Sequence, residues 1–136
     1  MKTAVIYWSG TGNTKAMAEA VAEGAKAELH EVSDFKGDID NYERIALGCS
    51  AMGDEVLEES EFEPFFAKNE PKLKGKTIAL FGSYGWGDGQ WMRDWVERAK
   101  NIGADIITGE GLMANEAPSD EDLEKCRSLG EALIRE

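Results

Sequence analysis

The sequence predicts an α/β fold: a doubly wound parallel sheet of five strands in the order 2-1-3-4-5, covered by helices on both faces as an α/β/α sandwich. Three observations support this prediction. Strand-like and helix-like segments alternate along the whole chain, which is typical of βαβ units and a parallel sheet. Three strands are nearly continuous apolar runs, as expected of strands covered on both faces. The second strand alternates polar and apolar residues, which places it at an edge of the sheet.

The first half of the chain contains three predicted strands and one predicted helix. The apolar run at residues 4–8 is the first strand, and an Ala/Met/Glu-rich helix covers residues 15–26. Residues 28–32 form the alternating edge strand, and residues 45–49 form the next buried strand. The polar stretch 33–42 predicts a short helix or a turn. Because crossovers between parallel strands are right-handed, the strand order switches direction between strands 1 and 3.

The second half completes the alternation. Residues 60–63, Ser-Glu-Phe-Glu, have the spacing of a capping box and predict a helix start. Residues 77–82 are a third buried strand, and apolar side chains recur at helical spacing over residues 91–99. Residues 105–108 predict the fifth strand, and Ser119 opens the last helix. In such a sheet, ligands bind beyond the carboxyl ends of the strands at the switch point.

The charge balance excludes several classes of partner. The chain has 27 acidic and 15 basic residues, a net charge of −12, so nucleic acid and anionic membranes are not expected partners. A basic protein partner fits this charge, and so does a charge that serves only solubility; the net charge does not decide between them. No apolar run approaches the ~18 residues of a membrane-spanning helix.

The remaining composition indicates a cytoplasmic protein without a metal. The 136 residues predict a single domain, 1–136, and no apolar leader with a cleavage site precedes the first strand. Cys49 and Cys126 are expected to be reduced thiols in the core. With one histidine and no cluster of cysteines and histidines, no metal site is expected.

The first strand ends in a loop that predicts an anion site. Ser9-Gly10-Thr11-Gly12-Asn13-Thr14 joins this strand to a helix N-terminus, where backbone N–H groups and the helix dipole attract anions. The loop matches neither a Walker A motif nor the dinucleotide fingerprint, because Lys15 stands where the third glycine belongs. Its hydroxyls and its lack of basic residues before Lys15 suit one phosphomonoester. Taken alone, the loop also fits an ordinary Gly/Thr turn, which is the less favoured interpretation.

Two further loops follow neighbouring strands. They read Ser50-Ala51-Met52-Gly53-Asp54-Glu55 and Ser83-Tyr84-Gly85-Trp86-Gly87. Each presents one large flat or polarizable side chain, Met52 or Trp86, among small residues. Two such side chains on adjacent loops could enclose a planar ring, since aromatic and thioether groups both pack favourably on ring faces.

Together, these three loops resemble the FMN loops of flavodoxins, and the closest resemblance is to the short-chain, Met/Trp-type flavodoxins of anaerobic bacteria. The likeness runs along nearly the whole chain. It implies a flavodoxin-like sandwich with FMN as cofactor. The residues expected at the cofactor are Ser9, Gly10, Thr11, Gly12, Asn13, Thr14, Ser50, Ala51, Met52, Gly53, Asp54, Glu55, Ser83, Tyr84, Gly85, Trp86, Gly87, Trp91 and Asn115.

The resemblance also implies a role for each group of these residues. The loop 9–14 and the Ser50 hydroxyl would hold the phosphate. Met52 and Trp86 would cover opposite faces of the isoalloxazine, and residues 53–55 would line its N5 and N3 side. The Gly85 backbone and Asn115 would lie beside the ring.

The implied function is that of a carrier of single electrons rather than an enzyme. A flavodoxin of this kind is a low-potential carrier that shuttles mainly between semiquinone and hydroquinone, with no catalytic residues of its own. Acidic residues in the stretch 54–63 would lower the second potential, and the Gly53 peptide would turn over on reduction. The expected partners are redox proteins with basic docking surfaces, and the expected state is a monomer.

Two alternative functions belong to other classes of protein, an enzyme and a regulatory domain. An FMN-dependent quinone or nitro reductase would need room for a second substrate over the ring, where Met52 and Trp86 block both faces. A phosphate-binding receiver domain has a similar fold, but it requires clustered acidic residues after the first strand, where this chain has Ser9 and Gly10.

Overall fold

A computed structural model describes residues 2–52 and 56–135. The strands are β1 (Thr3–Trp8), β2 (Glu28–Glu31), β3 (Arg44–Cys49), β4 (Thr77–Tyr84), β5 (Asp105–Ile106) and β6 (Leu112–Asn115). The helices are α1 (Asn13–Ala25), α2 (Phe62–Leu73), α3 (Gln90–Asn101) and α4 (Asp120–Arg135), with short 3-10 helices at Val32–Asp34, Ile39–Asn41 and Ile107–Gly109.

The sheet is parallel in the order β2-β1-β3-β4-β5, which confirms the predicted order. Its last position differs from the prediction, because two short strands occupy it instead of one. β5 pairs with the first residues of β4, and β6 pairs with the last four. Between them, Thr108 and Gly109 have φ of 64° and 80°, a left-handed conformation that no extended strand can include.

Alternate side chains of each buried strand enter two separate cores. On one face, Ile6, Leu47 and Leu80 pack under α2 and α3. On the other face, Val5 and Phe81 pack under α1 and α4. The two faces follow from the two-residue period of a strand, which is why these strands read as continuous apolar runs.

Helices α1 and α4 lie in backbone contact. A Cβ on Gly24 would stand 2.0 Å from the carbonyl oxygen of Arg127, and one on Gly130 would stand 2.2 Å from that of Val21. Only glycine permits this approach, so the two helices cover their face of the sheet as one closely packed pair. In the part of the chain that the structure describes, no helix is both long and apolar enough to cross a bilayer.

The helix start predicted at residues 60–63 is confirmed, but its cap differs from the predicted capping box. The helix begins at Phe62, and neither Ser60 nor Glu61 caps it with a side chain among the described residues. The Glu58 carboxylate instead accepts hydrogen bonds from the backbone N–H groups of Ser60, Glu61 and Phe62. At the last helix, the Ser119 hydroxyl accepts a bond from the Asp122 N–H at 3.1 Å, so Ser119 opens α4 as predicted.

Candidate functional site: a cleft at the carboxyl ends of three strands

A cleft of about 230 Å³ lies where β1, β3 and β4 end. Because these strands are parallel neighbours, their carboxyl ends bring the three predicted loops to one edge of the sheet. The described residues that line the cleft are Trp8, Gly10, Thr11, Asn13, Ser50, Ala51, Met52, Ser83, Tyr84, Gly85 and Glu116.

Helix α1 opens onto this cleft with an uncapped N-terminus. Gly12 takes the N-cap position with φ of 98°, and no side chain among the described residues caps the helix. The Gly12 N–H donates to the Ser9 hydroxyl at 3.1 Å, and the Ala16 N–H donates to the Gly12 carbonyl at 3.0 Å. The first-turn N–H groups between these bonds have no acceptor within the helix, which makes this end a donor site for an anion.

Thr14 links the three loops and faces inward. It is fully buried, and its hydroxyl lies 2.7 Å from the Ser50 hydroxyl while accepting a bond from the Ser83 N–H at 3.2 Å. The Ala51 N–H in turn donates to the Ser83 carbonyl at 3.0 Å. The Thr14 side chain therefore holds the loops in register, while its predicted contact with a phosphate stays a prediction.

Two large apolar side chains stand exposed beside the cleft. Trp86 is 73% exposed and Met52 is 39% exposed. Met52 forms an antiparallel bridge with Val56, with backbone bonds of 2.9 and 3.3 Å. The predicted contacts of Gly53, Asp54 and Glu55 lie outside the described residues. Exposed side chains of this size on short loops suit a flat apolar ligand.

The end of β6 completes the rim of the cleft. The Asn115 side chain donates to the carbonyls of Tyr84 and Gly85 at 3.2 and 3.4 Å. The Glu116 N–H donates to the Tyr84 carbonyl at 2.7 Å, and the Glu116 carbonyl accepts a bond from the Ser83 hydroxyl at 3.2 Å. Asn115 thus fixes the third loop. Gly87, with φ of 92°, forms the exposed turn after Trp86.

Trp91 is not among the described residues that line the cleft, and its predicted contact with the cofactor stays a prediction. It is 1% exposed and belongs to the core under α2 and α3. Its ring centroid lies 5.6 Å from that of Tyr84, which does line the cleft. The helical spacing of Trp91 and Trp95 already indicated a core position for at least one of them, and the structure buries both.

Trp8 and Glu116 line the cleft although sequence reasoning did not name them. The Trp8 indole donates to a Glu61 carboxylate oxygen at 3.2 Å, and its ring lies 3.0 Å from the place of a Cβ on Gly10. Trp8 is the last residue of β1, and this position at the switch point of the sheet is the sequence feature that could have identified it as a cleft residue. Nothing in the local sequence singles out Glu116, which the pairing of β6 with β4 brings to the cleft.

The electrostatic surroundings of the cleft are acidic. Glu116 lines it, and no lysine or arginine does so among the residues that the structure describes. The acidic stretch beside it is less solvated than its sequence suggests, since Glu58 is buried and Glu63 pairs with Arg98 at 2.7 Å. Glu59 and Glu61 are exposed. Within the described ranges, no cluster of three acidic, histidine or cysteine side chains could hold a metal ion.

A larger groove of about 580 Å³ lies elsewhere, between α3 and residues 109–113. Met92, Val96 and Met113 line it together with the charged Arg93 and Lys100. None of the described residues of the three predicted loops lines it, so size alone does not identify the functional site.

Comparison with known proteins agrees with this geometry. The flavodoxin family model matches residues 5–130. The chain is 46% identical to a flavodoxin of Clostridium beijerinckii, covering 95% of this chain and 96% of that protein, and 46% identical to one of Megasphaera elsdenii, covering 96% and 97%. The solution structure of the two-electron reduced Megasphaera elsdenii flavodoxin superimposes with a TM-score of 0.83 at 44% identity, over 98% of this chain and 99% of that one.

Proposed function

This chain belongs to the flavodoxin family, and from that premise we propose that it carries single electrons on one FMN bound in the cleft at the ends of β1, β3 and β4. Flavodoxins are electron-transfer proteins rather than enzymes. When bound, FMN supplies the one-electron chemistry, and the protein binds it and tunes its potentials. The position agrees with the switch-point rule, of which flavodoxins are a standard example.

One observation carries the assignment: an uncapped helix N-terminus and the exposed Met52 lie at one cleft, and the exposed Trp86 directly follows the lining residue Gly85. The α1 N-terminus offers N–H donors without acceptors in the helix, as a phosphate requires. Met52 in the cleft wall and Trp86 on the adjoining loop offer apolar faces, as a flat ring requires. The described residues therefore fit both ends of FMN.

Binding of the phosphate is assigned to loop 9–14. The N–H groups of the first turn of α1 would donate to it, and the helix dipole would favour its charge. The Ser9 oxygen accepts the Gly12 N–H, so the Ser9 hydroxyl proton is available to donate outward. Thr11 and Asn13 line the same wall. Thr14 supports this wall from within and keeps the Ser50 hydroxyl at its edge.

Binding of the ring is assigned to Met52 and Trp86, with Tyr84, Gly85 and Asn115 at one margin. These side chains would exclude water from the two faces of the ring. Residues 53–55, outside the described part of the chain, would line the N5 and N3 side. Trp91 has the indirect role of supporting Tyr84 from the core.

The acidic surroundings predict a low potential for the second electron. When bound and fully reduced, FMN would carry a negative charge, and a carboxylate ~10 Å away would raise the energy of that state by roughly 0.4–1.7 kcal/mol for effective dielectrics of 80 to 20. At 59 mV per tenfold change, each such charge lowers the potential by roughly 20–70 mV. Glu116 in the cleft wall and the exposed Glu59 and Glu61 are the described candidates.

The proposed partners are redox proteins with basic docking surfaces. A net charge of −12 favours encounter with such surfaces, and the same charge opposes self-association, so the protein would act as a monomer. We place this activity in the cytoplasm. The alternative of an FMN-dependent quinone or nitro reductase is not supported by the flavodoxins of 46% identity.

The test is binding of FMN, riboflavin and FAD to the apoprotein. Two or more charge-assisted hydrogen bonds to the phosphate predict at least ~100-fold weaker binding of riboflavin, and no basic pocket is assigned to an adenylate. Ser9→Ala should reduce the preference for FMN over riboflavin, whereas Ser33→Ala, an exposed serine of a 3-10 helix, should not. Equal affinity for FMN and riboflavin would disprove the phosphate assignment.

A further inference from the structure

We propose that Glu58 is a positioning residue for the ring side of the cleft. It fixes the C-terminal end of the segment that carries Met52, and it thereby sets the separation between the two one-electron reduction potentials of bound FMN. This inference rests on the proposed binding of FMN, and it concerns a residue that the family resemblance did not assign.

The Glu58 carboxylate is buried and fully engaged. The residue is 6% exposed. One carboxylate oxygen accepts the N–H groups of Glu61 and Phe62 at 2.8 and 2.9 Å, and the other accepts the Ser60 N–H at 2.8 Å and the Ser60 hydroxyl. A serine at the N-cap satisfies one orphan N–H of a helix. Glu58 receives four donors, which is more than capping α2 requires.

The backbone of Glu58 is engaged as well. Its N–H donates to the Cys49 sulfur at 3.4 Å, and its carbonyl accepts the Glu63 N–H at 2.8 Å. Cys49 is fully buried and is the last residue of β3, immediately before Ser50. Glu58 therefore connects the end of β3 to the beginning of α2.

The N-terminal end of the segment that carries Met52 is also fixed. The Ser50 hydroxyl lies 2.7 Å from that of Thr14, and the Ala51 N–H is bonded to the Ser83 carbonyl at 3.0 Å. The Met52–Val56 bridge closes the middle. Met52 thus stands between two fixed ends, and at the second of them the Glu58 carboxylate accepts four hydrogen bonds. Disturbing Glu58 would displace the bridge and the side chain that faces the ring.

The carboxylate must remain ionised for this role. Burial by itself would raise the pKa of Glu58, but the hydrogen bonds from Ser60 and from the N–H groups of Phe62 and Glu61 outweigh it and hold the pKa below its ordinary value. The isosteric Glu58→Gln removes this acceptor pair. Whichever way the amide turns, its NH₂ faces at least one backbone N–H of residues 60–62.

The experiment measures both one-electron potentials of the FMN-loaded protein by reductive titration against reference dyes. Glu58→Gln should narrow their separation by about 59 mV, which is a tenfold change for one electron. Glu59→Gln removes the same charge from the adjacent exposed position and should narrow the separation only through the loss of that charge. The positioning effect of Glu58→Gln is therefore its excess over Glu59→Gln, and an equal narrowing in both variants would overturn it. Ile78→Val lowers stability from within the core at the opposite end of β4 and should leave the separation unchanged.

The outcomes separate the two proposals. If the wild-type protein does not bind FMN, the proposed function fails. If it binds FMN and Glu58→Gln has the wild-type separation, or Ile78→Val narrows it equally, the positioning role is overturned. If Glu58→Gln does not fold, Glu58→Asp decides: it keeps the charge but shortens the reach, and an unchanged separation would overturn the role.

Discussion

Removing the exposed indole of Trp86 is the sharpest perturbation of the proposed ring contact. A buried aromatic side chain covers about 150–250 Å². Trp86 is 73% exposed, so a ring stacked on one face would remove roughly 80 Å² from water, or about 2 kcal/mol. Aromatic stacking adds about 0.5–1.5 kcal/mol. Trp86→Ala should therefore weaken FMN binding by about 2.5–3.5 kcal/mol, a roughly 70- to 370-fold rise in Kd.

The assay is fluorescence titration of the apoprotein with FMN. Stacking on Trp86 should quench the flavin in the wild-type complex, and Trp86→Ala should restore emission. Trp91→Phe is the matched control, because Trp91 is 1% exposed and does not line the cleft. It should lower the free energy of unfolding while the quenching persists. Trp86→Ala should change that free energy in the apoprotein by no more than about 0.5 kcal/mol.

Two results would refute this reasoning. Emission that stays quenched in Trp86→Ala, with Kd within threefold of wild type (about 0.6 kcal/mol), would mean that another side chain covers the ring. Emission restored by Trp91→Phe instead would mean that the buried tryptophan approaches the cofactor more closely than the cleft geometry indicates.

Four further predictions follow from the same structure. Glu116→Gln should raise the reduction potential for the second electron by roughly 20–70 mV in a reductive titration. An unchanged potential would mean that the Glu116 charge does not lower it. Electron transfer from a basic partner protein should slow as the salt concentration rises, because salt screens charges beyond ~8–10 Å. A stopped-flow rate independent of salt would mean that the acidic residues do not attract the partner electrostatically. The pKa of Glu58 lies below its ordinary value of 4.5, so the stability that its carboxylate contributes is present above pH 4.5 and is lost as pH falls through the folded pKa. Wild type should therefore exceed Glu58→Gln in free energy of unfolding by about 2 kcal/mol at neutral pH, and this difference should disappear in acid. A difference that persisted in acid would show that the role of Glu58 does not depend on its ionisation. Burial raises the pKa of Cys49 and Cys126 to about 12, so neither thiol should react with iodoacetamide near neutral pH until the chain unfolds. Alkylation of either cysteine in the native protein, detected by mass spectrometry, would contradict this prediction.

Several features of the cleft follow from sequence because they depend on local pattern. Continuous apolar runs identify the buried strands, and the alternating residues 28–32 identify the edge, which together determine the sheet order. The carboxyl ends of parallel strands must share one edge of the sheet, so the loops after β1, β3 and β4 had to converge. Ser119 was predictable because its cap bond joins residues three positions apart.

Other features depend on contacts between distant segments. Thr14 reads as one more hydroxyl of a phosphate loop, yet its bonds to Ser50 and Ser83 turn it inward. The spacing at residues 60–63 matched a capping box, but Glu58 reaches the same N–H groups and takes Cys49 as a further partner.

What the sequence alone determined was the order of the strands and the three loops that meet at their ends, because hydrophobic periodicity and turn chemistry act over a few residues. Only the tertiary structure decided which side chains face the cleft. It buried Trp91 behind Tyr84, brought Trp8 and Glu116 into the wall, and divided the last strand at Thr108. The physical reason is that a side chain's direction at a loop is set by the partners it finds across the sheet, and those partners lie tens of residues away in sequence.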